Sequence, residues 1–192
     1  MIQKAMLFVD GSNLLIELGD QLGIAIRAEK ATDAMFSLAV HVANAAATNV
    51  LQYGQLGPHR ILRRYWFGSV QGSDEDLQSS QAVLRRLGYE AILFRKRKGK
   101  DEKGVDLAVA REMLMHGFNR NYDTAVLVAG DEDYLGLVHD VKRLGPLVAG
   151  CFFPTNALSQ KLKLAFDDFE PIHLNHNQPE LIEHVKSDAA GA

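Results

Sequence analysis

Cys151 is the single cysteine in a chain of 192 residues. No internal disulfide can form, and nothing calls for an oxidising compartment. The opening Met1-Ile2-Gln3-Lys4 leads into five apolar residues that Asp10 interrupts, which is not a secretory signal. No apolar run approaches the roughly 20 residues needed to span a bilayer. The expectation is a cytoplasmic protein with no membrane association. Neither charge dominates: 21 Lys and Arg stand against 24 Asp and Glu, a net of −3, with a pI near 6.2. The total therefore does not announce a nucleic-acid binder, although local charge can still make one. A Gly-x-Ser-x-Gly elbow, a P-loop and a Gly-x-Gly-x-x-Gly fingerprint are all missing. His173, His176 and His184 have no partner cysteine and no tight zinc spacing, so they read as surface or packing residues. Cys151 lies in an apolar run and reads as inert core.

What is present suits one globular domain with a sizeable core: 47% hydrophobic and 23% charged residues, no internal repeat and no dividing linker. Strand and helix signals alternate. Ala5 to Val9, Arg60 to Phe67, Tyr89 to Phe94, Ala125 to Ala129 and Leu147 to Phe153 read as strands, with a short edge strand at Phe169 to Leu174. Helices are expected from a Ser12 cap to Leu22, from Glu29 to Thr48, from a Ser73 cap to Gly88, from Val105 to His116, from Glu132 to Leu144, from a Thr155 cap to Ala165, and from Pro179 to Lys186. Asn49 to His59 reads as a loop with room for a short strand at Val50 to Tyr53, and Ser187 to Ala192 as a frayed tail. Alternation of this kind predicts an α/β fold with a mainly parallel sheet covered on both faces. Ligands then bind outside the carboxyl ends of the strands, at the topological switch point.

Four carboxylates fall where that crevice would be. Asp10 ends the first strand, Asp131 and Asp133 follow the fourth, and Asp106 opens the helix before it. Neighbouring strands lie about 4.8 Å apart, so acids at matching ends crowd together. Crowded like charges call for a proton or a cation, and oxygen ligands suit a hard divalent one. The same acids also suit helix caps and first turns, and that reading stays open. Ser12 and Asn13 offer short polar groups to a phosphate near a helix N-terminus, with Gly11 permitting a tight turn. In Asp131-Glu132-Asp133 the two aspartates can reach the crevice while Glu132 turns outward. Arg95, Lys96, Arg97, Lys98, Lys100 and Lys103 form a basic segment with only Asp101 and Glu102 among them, a local net of +4. Overhanging the same edge, it would hold a polyanion, or simply be a solvated loop. Trp66, in Tyr65-Trp66-Phe67, could stack a base or belong to the core.

Leu7-Phe8-Val9-Asp10-Gly11-Ser12-Asn13-Leu14, Lys103-Gly104-Val105-Asp106 and Leu127-Val128-Ala129-Gly130-Asp131-Glu132-Asp133-Tyr134 together resemble the NYN domain family, specifically its LabA-like branch, which belongs with the PIN-like nucleases. The resemblance spans roughly residues 5 to 174. It implies a PIN-like three-layer α/β/α sandwich over residues 1–176, leaving 177–192 as a C-terminal helix and tail. It also implies a ribonuclease centre using Mg²⁺ or Mn²⁺, with Asp10, Asp106 and Asp131 as principal metal ligands and Asp133 as a fourth. Asn13 matches the family's polar residue beside the first acid, where it would orient substrate or a ligand carboxylate. Two residues depart from the family pattern. Ala129 stands where a serine is frequent, and Glu132 where a small residue is frequent.

The leading expectation is metal-dependent hydrolysis of single-stranded RNA, endonucleolytic or exonucleolytic. A non-catalytic module holding RNA, a protein partner or a second copy is the main competitor. A nucleotide phosphohydrolase shares the metal chemistry, but the Asp-x-Asp of haloacid-dehalogenase phosphatases sits at the first strand, where this chain has Ser12.

Overall fold

The central strand β1 (Gln3–Asp10) buries its last six residues, and alternate side chains go to opposite faces. Ala5, Leu7 and Val9 enter one hydrophobic core, Met6 and Phe8 another. A computed structural model describes residues 2–54, 56, 58–96, 104–174 and 179–190, and these form one six-stranded sheet. After β1 the chain runs through α1 (Gly11–Leu22), a 3₁₀ turn (Ala28–Lys30) and α2 (Asp33–Gln52) to β2 (His59–Val70). Then come α3 (Asp74–Arg86), β3 (Glu90–Arg95), α4 (Val105–Phe118) and β4 (Thr124–Val128). A second 3₁₀ turn (Glu132–Tyr134) leads to α5 (Leu135–Leu144), β5 (Leu147–Phe152), α6 (Gln160–Ala165), β6 (Asp168–Pro171) and α7 (Pro179–Ala190).

The strand order is β3-β2-β1-β4-β5-β6 and every pairing is parallel. The chain builds outward from β1 on one side, then returns to place β4 against β1 and builds outward on the other. The switch point therefore lies at the carboxyl ends of β1 and β4, where Val9 pairs with Val128. Helices α1, α2, α3 and α7 contribute to the first core and α4, α5 and α6 to the second, giving an α/β/α sandwich.

Local chemistry explains most boundaries. The Ser73 hydroxyl accepts from the Asp76 N–H at 3.2 Å, while the Asp76 carboxylate accepts from the Ser73 N–H at 2.7 Å. That reciprocal pair satisfies two of the free donors at the start of α3. Four expectations need correction. Asp10, not Ser12, caps α1. α2 continues through Val50 and Leu51 instead of yielding to a strand, because both fall on its inward face and are buried there. Ser159, not Thr155, caps α6, the Thr155 hydroxyl being held in a turn by the Ala157 N–H. The tail is helical through Ala190, since Val185 is fully buried and Ala189 packs against the first core.

α2 is also long and apolar enough to cross a membrane, by length and composition only. Most of it is buried within this protein, as in a core helix.

Candidate active site at the switch point

Asp10 is only 5% exposed, yet its carboxylate is well supplied with donors. Oδ1 accepts from the Asn13 N–H at 3.0 Å, which caps α1 and places the charge against the positive end of that helix. Oδ2 accepts from the Tyr134 hydroxyl at 2.7 Å. The cap therefore uses one oxygen, and the other meets Tyr134. The next residue, Gly11, is required for a reason other than a tight turn. A Cβ there would overlap the Trp66 indole, which packs beneath it. Ser12, also buried, lines the crevice.

The two strand tips are tied together. The Asn13 side-chain oxygen accepts from the Gly130 N–H at 2.8 Å, and the Gly130 carbonyl accepts from the Ser159 N–H at 2.9 Å. Asp131 then opens the second 3₁₀ turn, its Oδ1 accepting from the Asp133 N–H at 3.0 Å. Glu132 does face outward, its carboxylate accepting from the Ser159 hydroxyl at 3.0 Å and the Lys161 ammonium at 2.7 Å. The turn brings Tyr134 back toward β1, with its ring in the second core and its hydroxyl also 2.9 Å from Asp106 Oδ1. Burial first, then the Asp10 and Asp106 carboxylates, push that phenol far above the ordinary tyrosine range. It remains a donor across the working pH range.

Asp106 lies in the first turn of α4, which Gly104 opens with a left-handed φ of 107°. Asp10, Ser12, Asn13, Ile16, Val105, Asp106 and Asp131 line one open cavity of about 200 Å³. Three of the four expected acids thus share a cavity. The Asp133 carboxylate is not part of its lining; Asp133 is exposed, and its N–H serves Asp131. Among the described residues, no three His, Cys, Asp or Glu side chains are gathered as cation ligands. What is gathered is the Asp10–Asp106 pair about one phenol. A phenol has one proton, so it can donate to only one of these oxygens at a time. Two carboxylates, a third lining the same cavity and a serine hydroxyl are hard-oxygen donors, the chemistry that Mg²⁺ or Mn²⁺ takes.

The other expected binding residues fare differently. Trp66 is 1% exposed and makes edge contacts with Phe36 and Tyr89, so it cannot stack a base. It belongs to a central strand covered by helices, and its indole is core. Arg95 pairs with Asp74 at 3.2 Å and donates to the Gly72 carbonyl at 3.0 Å, and Lys96 pairs with Glu29 at 3.7 Å. Arg97, Lys98, Lys100 and Lys103 lie outside the described residues, as does His176. His173 lines a separate cavity of about 250 Å³ between α2 and β6, with His41 and Glu170. The sequence reading missed Tyr134. The available signal was an aromatic hydroxyl directly after the acids, since a buried tyrosine hydroxyl usually finds a partner.

A family model described as NYN domain matches residues 4–174, nearly the whole sheet and its helices. A crystal structure of a protein of unknown function from Vibrio parahaemolyticus RIMD 2210633 shares the fold. The TM-score is 0.61 at 18% identity, covering 90% of this chain and 94% of that one. No curated protein matches the chain.

Proposed function

We propose that this chain, which belongs to the NYN domain family of PIN-like nuclease-type domains, is a ribonuclease that hydrolyses single-stranded RNA with Mg²⁺ or Mn²⁺, in the family's LabA-like branch. The observation that carries this is the meeting of Asp10, Asp106 and Asp131 in one cavity at the switch point of the sheet.

Asp10 and Asp106 would hold the cation, with Asp131 and Ser12 on the same wall. The bound cation supplies Lewis-acid polarisation of the phosphate and of the attacking water. The chain's own residues set the geometry. Asn13 keeps the β1 and β4 tips together through Gly130, so Asp10 and Asp131 stay in register. The α1 N-terminus, which Asp10 caps, favours negative charge at this position. Asp133 supports Asp131 through its N–H, and its carboxylate would act through water. The basic segment from Arg95 to Lys103 would hold the flanking phosphates. Within it, Arg95 and Lys96 have the acidic partners Asp74 and Glu29.

A second reading has its own observation. Asp10 already works as a cap and as the acceptor for Tyr134, so it has structural reasons to be there. On that reading the domain holds RNA, a protein partner or a second copy without turnover. The deciding experiment incubates purified protein with mixed single-stranded RNAs in Mn²⁺, Mg²⁺ or EDTA, beside Asp10→Asn, which retains a good helix cap. Metal-dependent cleavage lost in the variant supports the nuclease. RNA bound but never cut supports the binding module. We place the protein's work in the cytoplasm on the same footing.

A further inference from the structure

The Tyr134 hydroxyl touches two carboxylates that arrive from different elements, Asp10 from the end of β1 and Asp106 from the first turn of α4. Its own position is not adjustable. Tyr134 is 2% exposed and belongs to the second core, to which Val105 and Ala108 of α4 and Leu137 and Val138 of α5 also contribute. The backbone leading to it is fixed at Gly130 from both sides and at Asp131 by the 3₁₀ turn. Asp106, by contrast, is exposed. An exposed aspartate samples several rotamers unless something holds it. The phenol is within hydrogen-bond distance of it and of Asp10, and its one proton serves the two carboxylates in turn.

Two ionised carboxylates otherwise repel. A hydroxyl fixed between them sets both their separation and which oxygen each presents to the cavity. From this geometry we infer that Tyr134 is the positioning residue of the acidic site. It spaces Asp10 and Asp106 for a small octahedral divalent cation. The inference rests on the metal-dependent reading above and adds a role for a residue that touches neither the cation nor the RNA.

The chemistry of the ions gives the role a signature. Mg²⁺ demands near-ideal octahedral geometry and sheds water reluctantly, whereas Ca²⁺ tolerates irregular and longer oxygen contacts. Releasing the carboxylates should therefore damage Mg²⁺ binding more than Ca²⁺ binding. Loss of a group that orients metal ligands typically costs about 10–100-fold in metal affinity.

The test is calorimetric titration of the full chain with Mg²⁺ alone and with Ca²⁺ alone, for wild type, Tyr134→Phe and Asp10→Asn. Melting temperatures in EDTA accompany it. Phenylalanine keeps the ring and its packing, so Tyr134→Phe should melt no more than about 4 °C below wild type. The expected result is a Mg²⁺ affinity reduced about 10–100-fold in that variant, with a smaller reduction for Ca²⁺. Unchanged affinities in Tyr134→Phe, with binding lost in Asp10→Asn, would overturn the positioning role and leave the metal site standing. Tighter Mg²⁺ binding would also overturn it, by showing that the hydroxyl competes with the ion. Equal losses for both ions together with a large fall in melting temperature would reduce Tyr134 to a packing residue. If wild type binds neither ion, or Asp10→Asn binds them as wild type does, the metal reading itself fails and takes this inference with it.

Discussion

At the end of β1 the chain runs Val9-Asp10-Gly11-Ser12-Asn13, and at the end of β4 it runs Ala129-Gly130-Asp131-Glu132-Asp133. Both are strand-to-helix junctions with an acid at the turn, and the two strands are neighbours in the sheet. They nevertheless put their carboxylates to different use. Asp10 is buried, caps a twelve-residue α-helix with one oxygen and meets Tyr134 with the other. Asp131 is exposed, closes a 3₁₀ turn on the Asp133 N–H, and so delays the start of α5 by three residues. That delay is what carries Tyr134 back over β1. Capping and function are therefore not rival explanations for an acid at such a junction: a carboxylate has two oxygens, and what the second one meets decides the matter.

The largest effect should separate the two acids in catalysis. Asp10→Asn is expected to slow RNA cleavage by at least about 100-fold, about 2.7 kcal/mol of barrier, through loss of a charged ligand from the paired site. Asp131→Asn should cost less, because Asp131 lies outside the phenol-linked pair. Single-turnover rates in Mn²⁺ measure both. Equal losses would erase the distinction between the junctions, and no loss in either would refute the nuclease.

Next in size is the glycine of each junction. Gly11→Ala should destabilise the fold by about 2 kcal/mol, since its Cβ would have to displace a fully buried indole. Gly136, in the first turn of α5 beyond the β4 junction, meets nothing within 4 Å of an added Cβ. Gly136→Ala should stabilise by about 0.5–1 kcal/mol through helix propensity alone. Urea unfolding midpoints give both signs. Matching signs would mean that the Trp66 contact does not govern the first junction.

Breaking the link between the junctions should matter less. Asn13→Ala removes the acceptor for the buried Gly130 N–H and is expected to cost about 1–2 kcal/mol. Amide hydrogen exchange should localise the change to Gly130 and Asp131. A loss spread evenly over the sheet would show that Asn13 is not a local tie.

The contrast also explains what could be read in advance. The sheet was legible because β1 and β4 are short apolar runs ended by glycine or acid, the mark of strands buried on both faces. The acids at the crevice were legible because topology alone places the ends of β1 and β4 side by side. Trp66 was ambiguous because its strand's edge or centre position depends on strand order, which only the folded sheet supplies. Tyr134 was hidden for a related reason. Its role depends on a 3₁₀ turn in place of a regular helix start, a choice made by one hydrogen bond from the Asp133 N–H to Asp131. Val50 and Leu51 suit a strand by composition and a helix by burial, and contact with the core decided for the helix.

The smallest expected effect concerns the acid of the second junction that faces away. Hydrogen bonds from Lys161 and then Ser159 hold the Glu132 carboxyl below its ordinary value of 4.5. A group whose folded value is depressed contributes its stability above the unfolded value, and loses it as pH falls through the folded one. The melting temperature of Glu132→Gln should therefore sit slightly below wild type at neutral pH and converge with it as pH falls below 4.5 and through the depressed folded value. The pair is solvent-exposed, so added salt should shrink the neutral-pH difference as well. RNA cleavage should be unchanged, because the Lys161–Glu132 contact points toward α6 and not into the cavity. A cleavage defect in Glu132→Gln at unchanged melting temperature would instead draw this third acid into the site, and the division between an inward and an outward carboxylate at β4 would have to be redrawn.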